Sequence, residues 1–344
     1  MLTLASTLSD RTRPLHDGRV KVAGFDIAYV GGEPEELFRI ALREGRYEIT
    51  ELSMASHILS VARGDSRYIG VPVFPSRAFR HSAIYVRTDR DINGPADLAG
   101  RVIGVPEYQQ TAALWVRGIL REHYGVDLGA IAWKSGGERT PITLPPEIDM
   151  QVIAAGDTLE AMLAEGRIDA FIGPRAPACF LDRSAPVARL FPDTRGEEEA
   201  YFRTSGFFPI MHCIAIRRDV VAAHPGLARA AFNAFDAGKA MALAELAMVN
   251  VLRVSLPWIA AEAMRWRGWW RQVCNSGSAS ASSAPTTSSR IEVVPCNVSI
   301  QAFSLAAPGC RRPRSPTRST SSASRGRWTG CGPCLPARAS AGRR

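Results

Sequence analysis

Residues 71–89 read VPVFPSRAFRHSAIYVRTD and residues 100–118 read GRVIGVPEYQQTAALWVRG. The first stretch places Arg77, Arg80 and His81 just ahead of a strand-like run over 82–87. The second predicts a buried strand over 102–105, a Pro-Glu-Tyr turn at 106–108 and a helix opening near Gln109. Cationic side chains beside a strand-to-helix turn suit an anionic ligand, because the first amides of a helix lack partners and its dipole is positive there.

Upstream, VKVAGFDIAYV (20–30) predicts a strand or hairpin by its apolar alternation. GGEPEE then opens a helix with Pro34 in the first turn, Leu37, Ile40 and Ala41 at helical spacing, and Gly45 as terminator. A short strand over 47–52 leads to Ser53-Met54-Ala55-Ser56, which starts the next helix. Ser53 and Ser56 suit either a helix cap or a ligand contact, and capping is the simpler account.

Downstream, 131–133 and 151–154 read as short strands. Asp157-Thr158-Leu159-Glu160 has the N-cap and N3 residues of a capping box, heading a helix that ends at Gly166. IDAFI (168–172) is a buried strand that delivers the loop carrying Arg175. FFPIMHCIAI (207–216) is another, carrying His212, and an Ala-rich helical region follows Pro225 to about residue 250.

Strands alternating with helices predict an α/β protein with largely parallel sheets. The runs at 82–87 and 207–216 flank a self-contained α/β block, as in a chain that crosses to a second lobe and returns. The expected organisation is therefore two-lobed: residues 1–87 with 207–263 form one discontinuous lobe and 88–206 the other. A ligand would lie between them, at the carboxyl ends of strands.

The net charge of +9 on 344 residues is misleading, because it is unevenly spread. Residues 264–344 carry 13 Arg, no Lys and one acid, Glu292, for +12; residues 1–263 carry 29 basic and 32 acidic side chains, for −3. The body is mildly acidic. Its two cysteines, Cys179 and Cys213, lie far apart and give no disulfide framework, which fits a reducing compartment. With no secretory signal in MLTLASTLSDRTRPL and no apolar run of membrane-spanning length, the reading is cytoplasmic, without a membrane partner.

From Met264 the composition changes to Arg, Ser, Pro, Gly and Ala, with segments such as SGSASASSAPTTSS. We read 264–344 as a low-complexity basic tail translated out of frame, expected to be mostly disordered. The body's 26 Arg against three Lys point to GC-rich coding DNA, whose shifted reading yields these residue types. Competing with this, Trp266, Trp269 and Trp270 interleave with Arg265, Arg267 and Arg271 as a nucleic-acid arm would require. Cys331-Gly-Pro-Cys334 copies a redox spacing without the flanking strand and helix, and is read as chance.

Five segments in order carry a family resemblance: YEITELSMASHILSVARGD, GVPVFPSRAFRHSAIYVRTD, GRVIGVPEYQQTAALWVRGIL, IDAFIGPRAPACFL and GFFPIMHCIAIRRDVVAAHP. Over most of 20–263 the chain resembles the 4,5-dihydroxyphthalate decarboxylases, which share the fold of type II periplasmic solute-binding proteins. The family pattern would continue beyond Leu256-Pro257-Trp258 with a helical region containing a Trp-Pro-Tyr-Gly-like stretch, which this chain lacks.

The resemblance implies a carbon–carbon lyase that removes one carboxylate from 4,5-dihydroxyphthalate, in aromatic (phthalate) catabolism. That chemistry needs a proton donor and a carboxylate clamp, tasks suited to His and Arg. His81 and His212 are the candidate proton donors or catechol-side bases, Arg77 and Arg80 the clamp, and Arg175 a contribution from the other lobe. Glu107 and Tyr108 would engage the hydroxyls, with Glu107 equally suited to capping; Ser53, Ser56 and Thr111 complete the set. Each has a plainer account: arginines on loops are usually solvated, and a lone histidine in an apolar strand is usually a core residue. No metal-ligand spacing, Gly-x-Gly-x-x-Gly or P-loop occurs in the body, so neither metal nor cofactor is expected. The expected partner is a small aromatic dicarboxylate rather than nucleic acid, and a homo-oligomer is compatible with the sequence. A solute-binding protein for an organic acid, using the same cleft without chemistry, is the alternative.

Overall fold

The computed structural model describes residues 1–138, 141–246, 248 and 255–265. The basic tail lies outside the described residues apart from Met264 and Arg265, and with it the out-of-frame and nucleic-acid readings and the Cys331–Cys334 spacing.

The chain builds two sheets. The first contains β1 (Leu2–Ser6), β2 (Ile27–Gly31), β3 (Ile49–Ser53), β4 (Tyr68–Val71) and, from far along the chain, β11 (His212–Arg217). Their order is β2-β1-β3-β11-β4, with β1 parallel to β2 and β3, and β11 antiparallel to β3 and β4. The second contains β5 (Ile84–Arg87), β6 (Val102–Val105), β7 (Ala132–Ser135), β8 (Met150–Val152), β9 (Ala170–Ile172) and β10 (Val187–Arg189). Its order is β10-β5-β9-β6-β7-β8. The β9-β6-β7-β8 strands run parallel, while β5 runs opposite to them and pairs antiparallel with both β9 and β10. This is the α/β, two-lobed architecture expected, but the sheets are mixed rather than largely parallel, because β11 and β5 enter them antiparallel.

After the single turn of α1 (Arg13–His16), helices cover the sheets where their apolar faces demand. On α2 (Pro34–Glu44), Leu37, Phe38, Ile40 and Ala41 are buried, and Gly45 closes the helix in the left-handed region, φ 65°. Burying each of the larger three stabilises the lobe by about 1.5–3 kcal/mol. α3 (Met54–Arg63) follows β3 directly, and α4 (Thr111–Glu122) follows β6 after the five-residue turn at 106–110. The second lobe's core centres on Trp133, Ile103, Leu98 and Leu120. Leu4, Ile49, Ile214 and Phe235 anchor the first.

Two segments cross between the sheets, and they pair with each other. Arg77 and Ile210 form an antiparallel bridge, Ala78 N donates to Pro209 O at 3.1 Å, and Met211 N donates to Ser76 O at 2.9 Å.

Some element bounds differ from the sequence reading. The strand expected over 82–87 begins at Ile84, after a 3-10 turn at His81–Ala83, and belongs to the second sheet. The crossing therefore lies ahead of Ile84, not after Arg87. Residues 207–211 belong to the return crossing, so the expected strand over 207–216 begins only at His212. Strand β1 escaped the pattern reading, and of 20–30 only the last residues, from Ile27, pair in a sheet. Thr158, rather than Asp157, caps α5 (Leu159–Ala164), accepting from Ala161 N at 3.1 Å.

Candidate active site

A cleft of about 720 Å³ opens between the lobes, with walls from both. The opening residues of three helices line it: Pro34 and Glu35 of α2, Ser53 and Ser56 at the start of α3, and Gln110 to Ala112 at the start of α4. Each helix start carries positive potential and amides lacking intrahelical acceptors. Several helix dipoles thus converge on one space. That space favours anions.

On the first lobe's wall, β3 and β11 set two titratable side chains together. His212 lies opposite Ser53 in the antiparallel register and Ile214 opposite Glu51, so His212 and Glu51 are diagonal neighbours on one face. His212 Nδ1 is 2.6 Å from Glu51 Oε1. The other carboxylate oxygen of Glu51 accepts from Ser6 Oγ at 2.9 Å and Thr7 N at 2.8 Å. Burial pushes the Glu51 carboxyl upward, but the His212 hydrogen bond and charge, with those donors, outweigh it and hold the group below the usual carboxylate range. Glu51 is 1% exposed, whereas His212 lines the cleft and packs edge-on against Phe38. With Nδ1 committed to Glu51, Nε2 is the ring nitrogen left for a bound molecule.

Arg80 lines the same cleft. Its Nε contacts Met211 Sδ at 3.0 Å, and no carboxylate lies within ion-pair distance of it among the described residues. Burial holds this guanidinium below its ordinary pKa, with Glu198 opposing. A half-buried cation without an ion pair attracts a ligand carboxylate. At α4, the amides of Thr111, Ala112 and Ala113 open the helix without an acceptor among the described residues, since the first helical bond runs from Leu114 N to Gln110 O. Arg80 and the amides of Thr111 and Ala112 are groups of the cleft wall suited to an anionic ligand.

Between them lies a hydroxyl cluster shared by the lobes. Ser53 Oγ and Thr111 Oγ1 are 2.9 Å apart, Ala55 N donates to Thr111 Oγ1 at 3.1 Å, and Ser56 Oγ donates to Gln109 Oε1 at 3.2 Å. Ser53 occupies the N-cap of α3 yet makes no side-chain cap bond. The simpler capping account therefore fails for Ser53, because Thr111 from the other lobe offers it a buried partner. Glu107 is 6% exposed, lines the cleft and accepts from Gln109 Nε2 at 3.1 Å. The turn carrying it is pinned from below by Glu138, which accepts from Tyr108 N at 2.5 Å and Gln109 N at 3.2 Å. Gly136 permits this approach, because a Cβ there would sit 2.8 Å from Pro106 O.

Three residues expected in the site lie elsewhere. His81 is 1% exposed, caged by Tyr124, Phe191 and Tyr201, and neither ring nitrogen has a hydrogen-bond partner among the described residues. Burial, with a contribution from His123, pushes its pKa down to about 4, so it is a neutral core residue near pH 7. Arg77 spends its guanidinium on the return crossing, donating to Phe208 O at 3.2 and 2.6 Å while stacking over the Phe208 ring. Tyr108 faces the core, its ring 3.5 Å from the Arg117 guanidinium and edge-on to Trp133. Arg175 does reach the cleft mouth, but it is 70% exposed and pairs with Glu35 at 3.0 Å and Glu33 at 3.4 Å across the lobes.

Sequence reasoning missed Glu51, Thr7, Gln109 and Gln110. Glu51 alone carried a signal, an acid inside the otherwise buried run ITELS. Among the described residues no group of three or more His, Cys, Asp or Glu could hold a metal ion, and no helix is long and apolar enough to cross a membrane.

The chain is 45% identical over 266 residues to the 4,5-dihydroxyphthalate decarboxylase of Comamonas testosteroni, a match covering 75% of this chain and 80% of the relative. It is 44% identical over 204 residues to the 4,5-dihydroxyphthalate decarboxylase of Pseudomonas putida, covering 57% of this chain and 79% of that protein. No protein-family model matches. Similar solved structures include the alkanesulfonate-binding protein SsuA from Xanthomonas axonopodis pv. citri bound to MOPS, at 14% identity and TM-score 0.43, covering 77% of this chain and 83% of that one. Another is the periplasmic aliphatic sulphonate binding protein SsuA from Escherichia coli, at 14% identity and TM-score 0.44, covering 80% and 82%. Likenesses this distant carry no argument about the site.

Proposed function

The chain belongs to the 4,5-dihydroxyphthalate decarboxylase family, and from that premise we propose that its interlobe cleft performs the non-oxidative removal of one carboxylate from 4,5-dihydroxyphthalate. The products are 3,4-dihydroxybenzoate and carbon dioxide. The observation that carries the assignment of roles is the His212–Glu51 pair on the wall of a cleft that also holds Arg80, which has no ion pair among the described residues.

Each carboxylate of this substrate is para to a hydroxyl, whose lone pair raises electron density on the carbon to be protonated. Arg80 and the α4 amides hold the retained carboxylate. In its protonated form His212 keeps Nδ1–H on Glu51 and presents Nε2–H to the cleft. That proton goes to the ring carbon bearing the departing carboxylate. The carbon–carbon bond then breaks, its electron pair returns to the ring as carbon dioxide leaves, and the imidazole regains a proton from solvent. One proton is consumed per turnover. Glu51 fixes the ring orientation throughout, as the acid partner of a catalytic histidine does. Binding without chemistry would leave this pair unexplained.

Carbon dioxide release from 4,5-dihydroxyphthalate by the purified chain tests the reading. Turnover that disappears in His212→Gln while phthalate still binds is the expected result; wild-type binding without turnover would replace the enzyme by a binding protein. We also propose a cytoplasmic location, supported by the buried free thiols of Cys179 and Cys213. Cell fractionation checks it, and recovery from outside the cytoplasm would reject it.

A further inference from the structure

Among the described residues, two cleft-lining side chains have buried oxygens without hydrogen-bond partners: Thr7 Oγ1 and Gln110 Oε1. They come from opposite lobes. Thr7 follows the end of β1, and its backbone amide already serves the Glu51 carboxylate. Gln110 is the N-cap residue of α4, yet its side chain makes no cap bond. Buried polar atoms are nearly always paired, so an unpaired one on the wall of a ligand cleft asks what pairs it.

The chemistry narrows the answer. An amide oxygen accepts hydrogen bonds and cannot donate them, so Gln110 Oε1 repels a carboxylate and welcomes a hydroxyl. A threonine hydroxyl can serve either end of an O–H. The cations and free amides of the cleft already suit carboxylates. On the substrate proposed above, the remaining polar groups are the two adjacent hydroxyls. We propose that Thr7 and Gln110 are specificity-determining residues that read these hydroxyls, so that the cleft separates dihydroxylated aromatic acids from their unhydroxylated counterparts. This rests on the decarboxylase reading for the identity of the ligand, while its test does not require turnover.

The test uses two unreactive probes that differ only in the hydroxyls, 3,4-dihydroxybenzoate and benzoate, titrated calorimetrically into the full chain. The wild type is expected to prefer the dihydroxy probe by roughly tenfold or more, at roughly three- to tenfold per hydrogen bond. Thr7→Val and Gln110→Leu should each remove much of that preference while benzoate affinity moves less than twofold. Thr7→Ser, which keeps the hydroxyl, should retain it. Equal loss of both probes in Thr7→Val and Gln110→Leu would overturn the proposal by making the residues structural, and so would a wild type that binds both probes alike. Discrimination without carbon dioxide release from 4,5-dihydroxyphthalate would support the pair and reject the decarboxylase reading alone.

Discussion

Glu51 and His212 stand 161 positions apart in the chain and 2.6 Å apart in the fold, on adjacent strands and on one face of the sheet. Strand register alone makes them partners, since a slip of one residue would turn His212 to the opposite face.

Loss of the donor should cost more than loss of its support. His212→Gln is expected to lower kcat by about 10²–10⁴-fold, the range for a positioned general acid. Glu51→Gln keeps a hydrogen-bonding side chain but no charge, and should lower kcat less while altering the pH profile. Steady-state carbon dioxide release across pH measures both, and an unchanged Glu51→Gln profile would remove Glu51 from the positioning role.

Arg80→Gln removes a charge-assisted contact worth about 1.5–3 kcal/mol, so phthalate affinity should fall by roughly 10–150-fold. Calorimetry on phthalate reads this directly. An affinity within threefold of wild type would show that the α4 amides suffice.

Arg175, although it lines the mouth of the cleft, is solvated and already paired with Glu33 and Glu35. Arg175→Ala should change KM by less than about threefold at physiological salt, because exposed ion pairs are weak and screened. A tenfold rise in KM would return it to the substrate clamp.

His81 gives the protein an acid limit. Its folded pKa lies at about 4 because burial opposes the charged form, against an ordinary value of 6.5. Above 6.5 it is neutral folded or unfolded and contributes nothing to pH dependence. As pH falls below 6.5 the unfolded chain takes up the proton first, so stability drains away until the folded pKa is reached. The shift corresponds to about 3 kcal/mol at its full extent. Urea melts at several pH values should show His81→Leu flattening the curve between pH 6.5 and 4. A loss of stability as steep as that of wild type would assign the acid limit to other groups.

Periodicity was enough for the α/β class and most helices, because apolar faces must be buried wherever they fall. The site was less legible, for a local reason. Arg80 and His81 are neighbours, but the 3-10 turn beginning at His81 sends Arg80 to the cleft and His81 to the core. Glu107 and Tyr108 part in the same way, one to the cleft and the other onto Arg117. Sequence adjacency suggested shared roles that backbone direction divides. Conversely, Glu51 needed the pairing of β3 with β11 to become meaningful, and no local pattern reports that.

Among the described residues, strand β4 pairs only with β11. During synthesis, therefore, β4 and one edge of β3 emerge from the ribosome with no neighbour until residues 212–217 follow. The segment spanning β5 to β10 is contiguous and can close its own sheet meanwhile. The nascent protein thus carries exposed strand edges through a long wait, the condition under which chains aggregate or recruit chaperones. Its yield of soluble product should depend on translation speed between residues 72 and 217 more than on speed anywhere else in the described chain.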